Sequence, residues 1–318
     1  MDSNSVKVEE LIKEMPYIDC ISGKEFADRE IEVMDLSRPA IELTGYFDFY
    51  PKERIQLFGA TEISFIERLE SEEKIAIFER MCTASTPAFL ISRGQAVPEE
   101  LIDVATKNKI PVLISNRATT RLSANVTNFL EERLAERMDQ HGVFMDIYGM
   151  GVLIIGDSGI GKSETGLELV QRGHRLIADD RVQLYMMDES RIIGEAPYIL
   201  RNMIEIRGLG VIDIMNMFGV GSVRERQELE LVINLKHWDK EDAYDRLGNH
   251  VENKRFFNVD MPMINIPVKV GRNLATIVEV ATMNMRAKDM GYDATETFEA
   301  RLTELIESNT KKLQDKTK

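Results

Sequence analysis

The chain has 318 residues, 43% of them hydrophobic, with 54 acidic against 40 basic side chains and a formal net charge of −14. Its length predicts about two domains with real apolar cores. The charge excludes a general nucleic-acid or anionic-membrane surface, so a phosphorylated ligand would have to be held by local donors rather than by the overall field.

The first element is a short amphipathic helix over Val6–Met15, with Val8, Leu11 and Ile12 on one face. Arg38-Pro39 and Thr44-Gly45 punctuate the next stretch, and the aromatic piece Tyr46–Pro51 reads as strand-like. Ile55–Gly59 predicts a strand ending at glycine, and Glu62–Cys82 one charged helix with a narrow apolar stripe. Then come a strand at Ala88–Ser92, a helix at Pro98–Asn108 and a strand at Ile110–Ile114, the order of a βαβ unit in a small parallel sheet. Thr119–Met138 predicts one long helix, from the spacing of Leu122, Val126, Phe129, Leu130 and Leu134. No phosphate loop, metal cluster or catalytic pattern precedes residue 130. The fold class is therefore α/β, with a small N-terminal α/β domain of undefined task over residues 1–132 and a second domain over 133–318.

The second domain opens with glycines interrupting short β-like pieces from Gln140 to Gly151. The apolar run Val152–Ile155 feeds Gly156-Asp157-Ser158-Gly159-Ile160-Gly161-Lys162-Ser163, which fits G-x-x-x-x-G-K-[ST] at every fixed position, and a helix from Glu164 to Arg172 leaves it. In that context the glycines turn backbone N–H groups toward phosphate oxygens, aided by the helix N-terminus. Lys162 is placed to reach the β- and γ-phosphates of ATP and the Ser163 hydroxyl to ligate Mg²⁺.

His174–Met187 predicts a strand with Leu176-Ile177-Ala178-Asp179-Asp180 in its middle, whose alternation would point the two carboxylates apart. Asp180 lies 18 residues after Lys162, so the pair sits on the very next strand, nearer than in a switch GTPase, and no N-K-x-D base-reading motif is present. A second dense stretch runs Ile204-Glu205-Ile206-Arg207-Gly208-Leu209-Gly210-Val211-Ile212-Asp213, with Glu205 and Arg207 in strand alternation. Met215–Gly221 continues as a glycine-containing segment. Leu229–Leu235 is a strand, followed by Trp238 and by a polar turn carrying Arg246. Pro267-Val268-Lys269-Val270-Gly271-Arg272 is a Pro/Gly-bracketed loop with two cations, readable from its residues alone as an ordinary surface turn. Ala275–Lys288 predicts a helix. Phe298, Leu302, Leu305 and Ile306 mark the expected core face of a last helix, and Asn309–Lys318 an expected frayed end.

Cys20 and Cys82 show no metal-ligand spacing, which suits a reducing compartment, and the four histidines form no metal-binding pattern. No basic-then-apolar leader opens the sequence and no apolar run approaches membrane-spanning length, so a soluble cytoplasmic protein is expected.

Taken in order, His141-Gly142-Val143, Gly156–Ser163, Asp179-Asp180-Arg181-Val182, Ile204–Asp213 and Pro267–Asn273 resemble HPr kinase/phosphorylase, as does Arg54-Ile55-Gln56-Leu57 in the first domain. One position departs: Val270 stands where the family's Pro-Val-x-Pro-Gly-Arg loop has its second proline. The resemblance implies a P-loop domain like the nucleotide-binding core of phosphoenolpyruvate carboxykinase. It implies an enzyme that phosphorylates a serine of the phosphocarrier protein HPr with ATP or pyrophosphate. It also implies the reverse phosphorolysis, in which inorganic phosphate removes the group and yields pyrophosphate. The setting implied is bacterial carbon-catabolite control, and the assembly a homo-oligomer, a hexamer in the family. The residues it implies are His141, Lys162, Asp180 and Arg246 for catalysis, Ser163 and Glu205 for Mg²⁺, and Pro267–Arg272 for phosphorolysis. His141 and Arg246, read without the resemblance, are a packed or capping histidine and a surface arginine. A nucleotide-sensing module and a small-molecule kinase of carboxykinase type are the competing classes.

Overall fold

The computed structural model describes residues 5–238, 252–269 and 271–316. Contacts divide the chain into two units, Met1–Glu136 and Arg137–Lys318. Each is a mixed α/β body.

In the first unit a five-stranded sheet runs in the order Ile18–Ser22, Val112–Ser115, Phe89–Ile91, Ile55–Phe58, Leu36–Ser37. The last four strands are parallel, with Ile18–Ser22 antiparallel at the edge. Helix Glu99–Lys107 connects Phe89–Ile91 to its parallel neighbour Val112–Ser115, the expected βαβ unit. Alternate residues of the central strands feed two cores. Ile55, Leu57, Leu90 and Leu113 pack with Leu122, Val126 and Leu130 of helix Thr119–Leu134. Phe58, Phe89, Ile91 and Val112 pack with Phe78, Met81 and Leu101 on the other face. Burial on both faces explains why these strands read as continuous apolar runs.

Four expectations need correction here. The helix expected from Val6 starts at Val8, because Val6–Lys7 pairs with Glu30–Ile31 as a short antiparallel strand. Tyr46–Pro51 is a turn, not a strand: Tyr50 N–H bonds back to Phe47 O, the two rings meet edge to face, and the Tyr50 hydroxyl donates to Met81 O. Glu62–Cys82 is two helices, Ala60–Ile66 and Ser71–Met81. Leu69 N–H closes a tight turn onto Ile66 O, and the Glu73 carboxylate accepts Glu70 N–H to start the second helix. The long helix from Thr119 stops at Leu134, where Ala135 is extended (φ −54°, ψ 140°), and Arg137–His141 is a strand.

In the second unit a six-stranded sheet runs Arg175–Ala178, Val143–Ile147, Met150–Gly156, Leu231–His237, Val259–Val268, Glu252–Phe256. Met150–Gly156, Leu231–His237 and Val259–Val268 are mutually parallel, and the other pairings antiparallel. Val143–Ile147 and Met150–Gly156 are joined by a two-residue turn with Tyr148 at φ 54° and Gly149 at φ 89°, the twist a tight hairpin needs. Val152 and Ile154 face a core shared with Leu169 and Val170 of helix Lys162–Gln171 and with Ala275 and Val278 of helix Leu274–Asp289. Leu153 and Ile155 face the opposite core, with Val182, Leu184 and Ile192 of a second, four-stranded antiparallel sheet. That sheet runs Arg226–Glu228, Ile192–Glu195, Arg181–Met186, Arg137–His141.

His174–Met187 is therefore not one strand. Arg175–Ala178 belongs to the six-stranded sheet and Arg181–Met186 to the four-stranded one, and the chain changes sheets at Asp179–Asp180. Asp180 takes a left-handed backbone, φ 64°, a conformation aspartate tolerates better than most residues. Ile204–Asp213 forms a hairpin of Met203–Ile206 and Gly210–Asp213, and Asp213 caps the short helix Ile214–Phe218 by accepting Asn216 N–H.

The last helix, Ala294–Lys316, also departs from expectation. Phe298, Leu302, Leu305 and Ile306 are 52%, 44%, 58% and 57% exposed, so the stripe is not a core face of the described chain. Helical spacing encodes the face, not what covers it. The helix also continues through the tail expected to fray, to Lys316. Among the described residues no helix is long and apolar enough to cross a membrane.

Candidate functional site

The site lies at the carboxyl ends of the parallel strands, the edge where open α/β sheets bind ligands. Gly156 ends the central strand at φ 147°, and a Cβ there would stand 2.5 Å from Leu235 O, so only glycine lets the chain turn away from its neighbour. Gly161, at φ 103°, then starts helix Lys162–Gln171. Lys162 is 7% exposed, and its ammonium donates to Gly156 O and Asp157 O, both at 3.0 Å.

A cavity of about 230 Å³ opens over this loop. Ser158, Gly159, Gly161, Lys162, Ser163 and Glu164 supply one wall, and His141, Asp179, Asp180, Glu205 and Arg207 the rest. Four separate chain segments converge there. The strand Arg137–His141 delivers His141 beside Asp180 by pairing His141 with Arg181. His141 Nδ1 and Asp180 Oδ1 lie 3.0 Å apart, with both side chains more than half exposed. The hairpin delivers Glu205 and Arg207 from one face, as their spacing predicts, while Ile204 and Ile206 point into the core. The Arg207 guanidinium lies against the loop: a Cβ on Gly159 would stand 2.9 Å from Nη1.

The residue passed over in the sequence is Asp179. It is 3% exposed, Oδ1 accepts the Ser163 hydroxyl at 2.9 Å, and Oδ2 accepts Glu205 N–H at 2.9 Å. Burial pushes its carboxyl above the ordinary aspartate value, with these two hydrogen bonds pulling the other way. Its signal was present as one half of an acidic pair after an apolar run. The expectation that strand alternation separates the two carboxylates gave no reason to choose the buried one. They do diverge, but through the left-handed turn at Asp180.

The cavity leaves part of the expected set outside its walls. Gly156, Asp157 and Ile160 belong to the loop without lining the cavity, and Leu209 and Val211 are exposed on the hairpin. Pro267 and Val268 end the strand parallel to Leu231–His237, which brings Lys269 to the same sheet edge. There Lys269 Nζ sits 4.8 Å from the centre of the Trp238 ring, and Arg272 N–H turns back onto Lys269 O. Gly271 is in the left-handed region at φ 91°. Arg246 and Val270 lie outside the described residues.

For a divalent cation the cavity offers oxygen donors: the Ser163 hydroxyl and the carboxylates of Asp179 and Glu205. Among the described residues no group of three His, Cys, Asp or Glu side chains forms a metal cage. Few protein oxygens suit Mg²⁺, which keeps waters and takes substrate phosphates as ligands. Because the Ser163 O–H already donates to Asp179, its lone pairs are left for such a cation.

Comparison with known proteins gives two family matches covering most of the chain. A family described as HPr Serine kinase N terminus matches residues 6–130, and one described as HPr Serine kinase C-terminal domain matches residues 132–302. A curated protein of Lactobacillus johnsonii named HPr kinase/phosphorylase is 56% identical over 309 residues, 97% of each chain. One of Lacticaseibacillus casei with the same name is 56% identical over 308 residues, 96% of each chain. A solved chain titled "Structure of the Hpr(Ser) kinase/phosphatase from Coxiella burnetii" is 35% identical, with a TM-score of 0.47, covering 51% of this chain and 98% of that one.

Proposed function

The chain belongs to the HPr kinase/phosphorylase family, and from that premise we propose how its cavity moves phosphate. The protein is an enzyme that phosphorylates a serine of HPr and removes that phosphate again, in carbon-catabolite control. The observation that carries the mechanism is Asp180, paired with His141, on the wall of the same cavity as the phosphate loop. Binding a nucleotide as a signal needs no base in that position; transfer to a hydroxyl does.

In the forward direction the loop amides and Lys162 hold ATP or pyrophosphate, and Arg207 neutralises charge beside Gly159. The HPr serine oxygen attacks the terminal phosphorus, its proton passes to Asp180, and the bond to the leaving phosphate oxygen breaks. In reverse, an oxygen of inorganic phosphate attacks the phosphoserine phosphorus. Protonated Asp180 returns the proton to the departing serine oxygen, and the product is pyrophosphate. His141 orients Asp180 in both directions. Bound Mg²⁺ supplies charge neutralisation on the phosphates, and Ser163 and Glu205 would hold it, with Asp179 fixing the Ser163 hydroxyl and the Glu205 backbone. Lys269 and Arg272 hold inorganic phosphate for the reverse attack, and Arg246 supplies a further cation to the transferred group.

The exposed apolar stripe of the last helix supports self-association, which family analogy puts at a hexamer; light scattering on the full chain measures it. The deciding experiment offers labelled ATP or pyrophosphate with purified HPr and a panel of small hydroxylated metabolites. Label on the HPr serine, released as pyrophosphate on adding inorganic phosphate, is the expected result. Label in a metabolite instead would indicate a carboxykinase-like small-molecule enzyme, and nucleotide binding without transfer a sensor.

A further inference from the structure

Helix Leu274–Asp289 begins directly after the Pro267–Arg272 loop, and Asn273 is its N-cap: Oδ1 accepts Thr276 N–H at 2.8 Å. Capping a helix requires nothing more of an asparagine. Here the side chain has a second partner. Its Nδ2 donates to Glu168 Oε1 at 2.6 Å, and Glu168 belongs to helix Lys162–Gln171, which starts at the phosphate loop.

The contact is embedded in a charged network. Arg172 donates through Nη2 to Glu168 Oε1 at 2.9 Å and to Asn273 Oδ1 at 3.3 Å, and through Nη1 to Glu279 Oε2 at 2.7 Å. Glu279, on the same helix that Asn273 caps, also meets His174 Nε2 at 2.9 Å. The Asn273 hydrogen bond, then Arg172, hold the Glu168 carboxyl below the ordinary range, so it accepts as an anion at neutral pH. Charge-assisted bonds of this kind are short and directional. The residue where the loop ends is thus tied to a stiff helix of ten residues whose other end is the phosphate-binding turn.

We propose that Asn273 and Glu168 are positioning residues for phosphorolysis, setting Lys269 and Arg272 at a fixed place relative to the phosphate loop. The inference rests on the assignment of those two cations to inorganic phosphate. Neither positioning residue lines the cavity, so neither touches the reacting atoms. Their effect should fall on the affinity for attacking phosphate, more than on ATP, which the loop amides and Lys162 hold.

The test uses the full-length enzyme with phospho-HPr and inorganic phosphate, alongside the kinase reaction with ATP. Asn273→Asp keeps a good cap and the contact with Arg172, but replaces the amide that donates to Glu168 with a carboxylate oxygen facing it. The expected result is a KM for phosphate raised about tenfold, with the KM for ATP moved less than about twofold. Adding Glu168→Gln reverses the polarity of the bond, its amide donating to the new carboxylate, and should bring the KM for phosphate back to within about threefold of wild type. An unchanged KM for phosphate in Asn273→Asp, an equal loss in both directions, or no recovery in the double variant would overturn the proposal. Should Asn273→Asp fail to fold, Glu168→Ala carries the same phosphate-specific expectation. Lys269→Ala and Arg272→Ala separate the two levels. If they leave the KM for phosphate unchanged, the assignment of the loop fails; if they raise it and Asn273→Asp does not, the positioning role alone fails.

Discussion

Asp179 and Asp180 are adjacent in sequence and opposite in circumstance. Asp180 is exposed beside His141 on the cavity wall, whereas Asp179 is sealed under Ser163 and Glu205. Asp180→Asn should depress kinase and phosphorolysis together, by about 10²-fold or more in each, because in the proposed mechanism one carboxyl would serve as base forward and acid in reverse. Rates measured in both directions check this, and sparing of either would remove the shared role. Asp179 carries a stability prediction. Its folded value is raised by burial above the 3.8 of an unperturbed aspartate. In the window above that value the native state therefore binds the proton more readily than the unfolded chain, and stability falls as pH rises through it. Asp179→Asn has no such proton to lose, so the wild type should hold its advantage over the variant best near pH 4 and lose part of it by about pH 7. Denaturation midpoints of both proteins across that range decide it; a constant difference would refute the assignment. Both carboxylates, Glu205 and Arg207 were visible in the sequence as residue types. Which of the two aspartates is buried was not, because that depends on a sheet change at Asp180 that an apolar run followed by acids does not encode.

At the level of elements, the strand Met150–Gly156 packs closely against an edge of the second sheet as well as leading into the loop Gly156–Ser163. Gly151 exchanges backbone and side-chain hydrogen bonds with Glu230: its N–H donates to Glu230 Oε2 and its carbonyl accepts Glu230 N–H. A Cβ at Gly151 would collide with Glu228 O, in the edge strand Arg226–Glu228 of the four-stranded sheet. Gly151→Ala must push that strand away and should cost about 1–3 kcal/mol, read as a lower urea midpoint. An unchanged midpoint would show that the two segments are not in close contact. The strand and its loop were legible because apolar residues, glycines and a helix start follow one another within a few positions. Other boundaries were lost where a local bond overrides a period. The apolar spacing from Leu122 to Leu134 continues a helix on paper to Met138, yet Met138 pairs with Leu184 in a sheet. That pairing partner lies 46 residues away by number, beyond the reach of any helical window. The same strand carries His141 to Asp180, so the missed boundary and the placement of His141 are one event.

On the scale of the whole chain, a net charge of −14 coexists with a cavity that we propose holds phosphate. Local donors would reconcile the two: in the proposed mechanism the loop amides, Lys162 and Arg207 act at contact range, where their field is least screened. Every residue lining that cavity lies in Arg137–Lys318, and so does the Glu168–Asn273 link. The chemistry should therefore survive removal of the first unit, provided the cut respects the strand Arg137–His141. That strand forms an edge of the four-stranded sheet through pairs from Arg137 with Tyr185 to His141 with Arg181. A chain starting at Ala135 keeps the whole ladder, His141 and its contact with Asp180, and should retain HPr phosphorylation and phosphorolysis within about tenfold of the full protein. A chain starting at Val143 has lost the edge strand and His141 together, and should lose both reactions by about 10²-fold or more. Assaying the two truncations side by side isolates those eight residues. If the longer one is as inactive as the shorter, the first unit contributes to the reaction in a way the cavity walls do not reveal. If the shorter one is as active as the longer, His141 is no part of the acid–base pair.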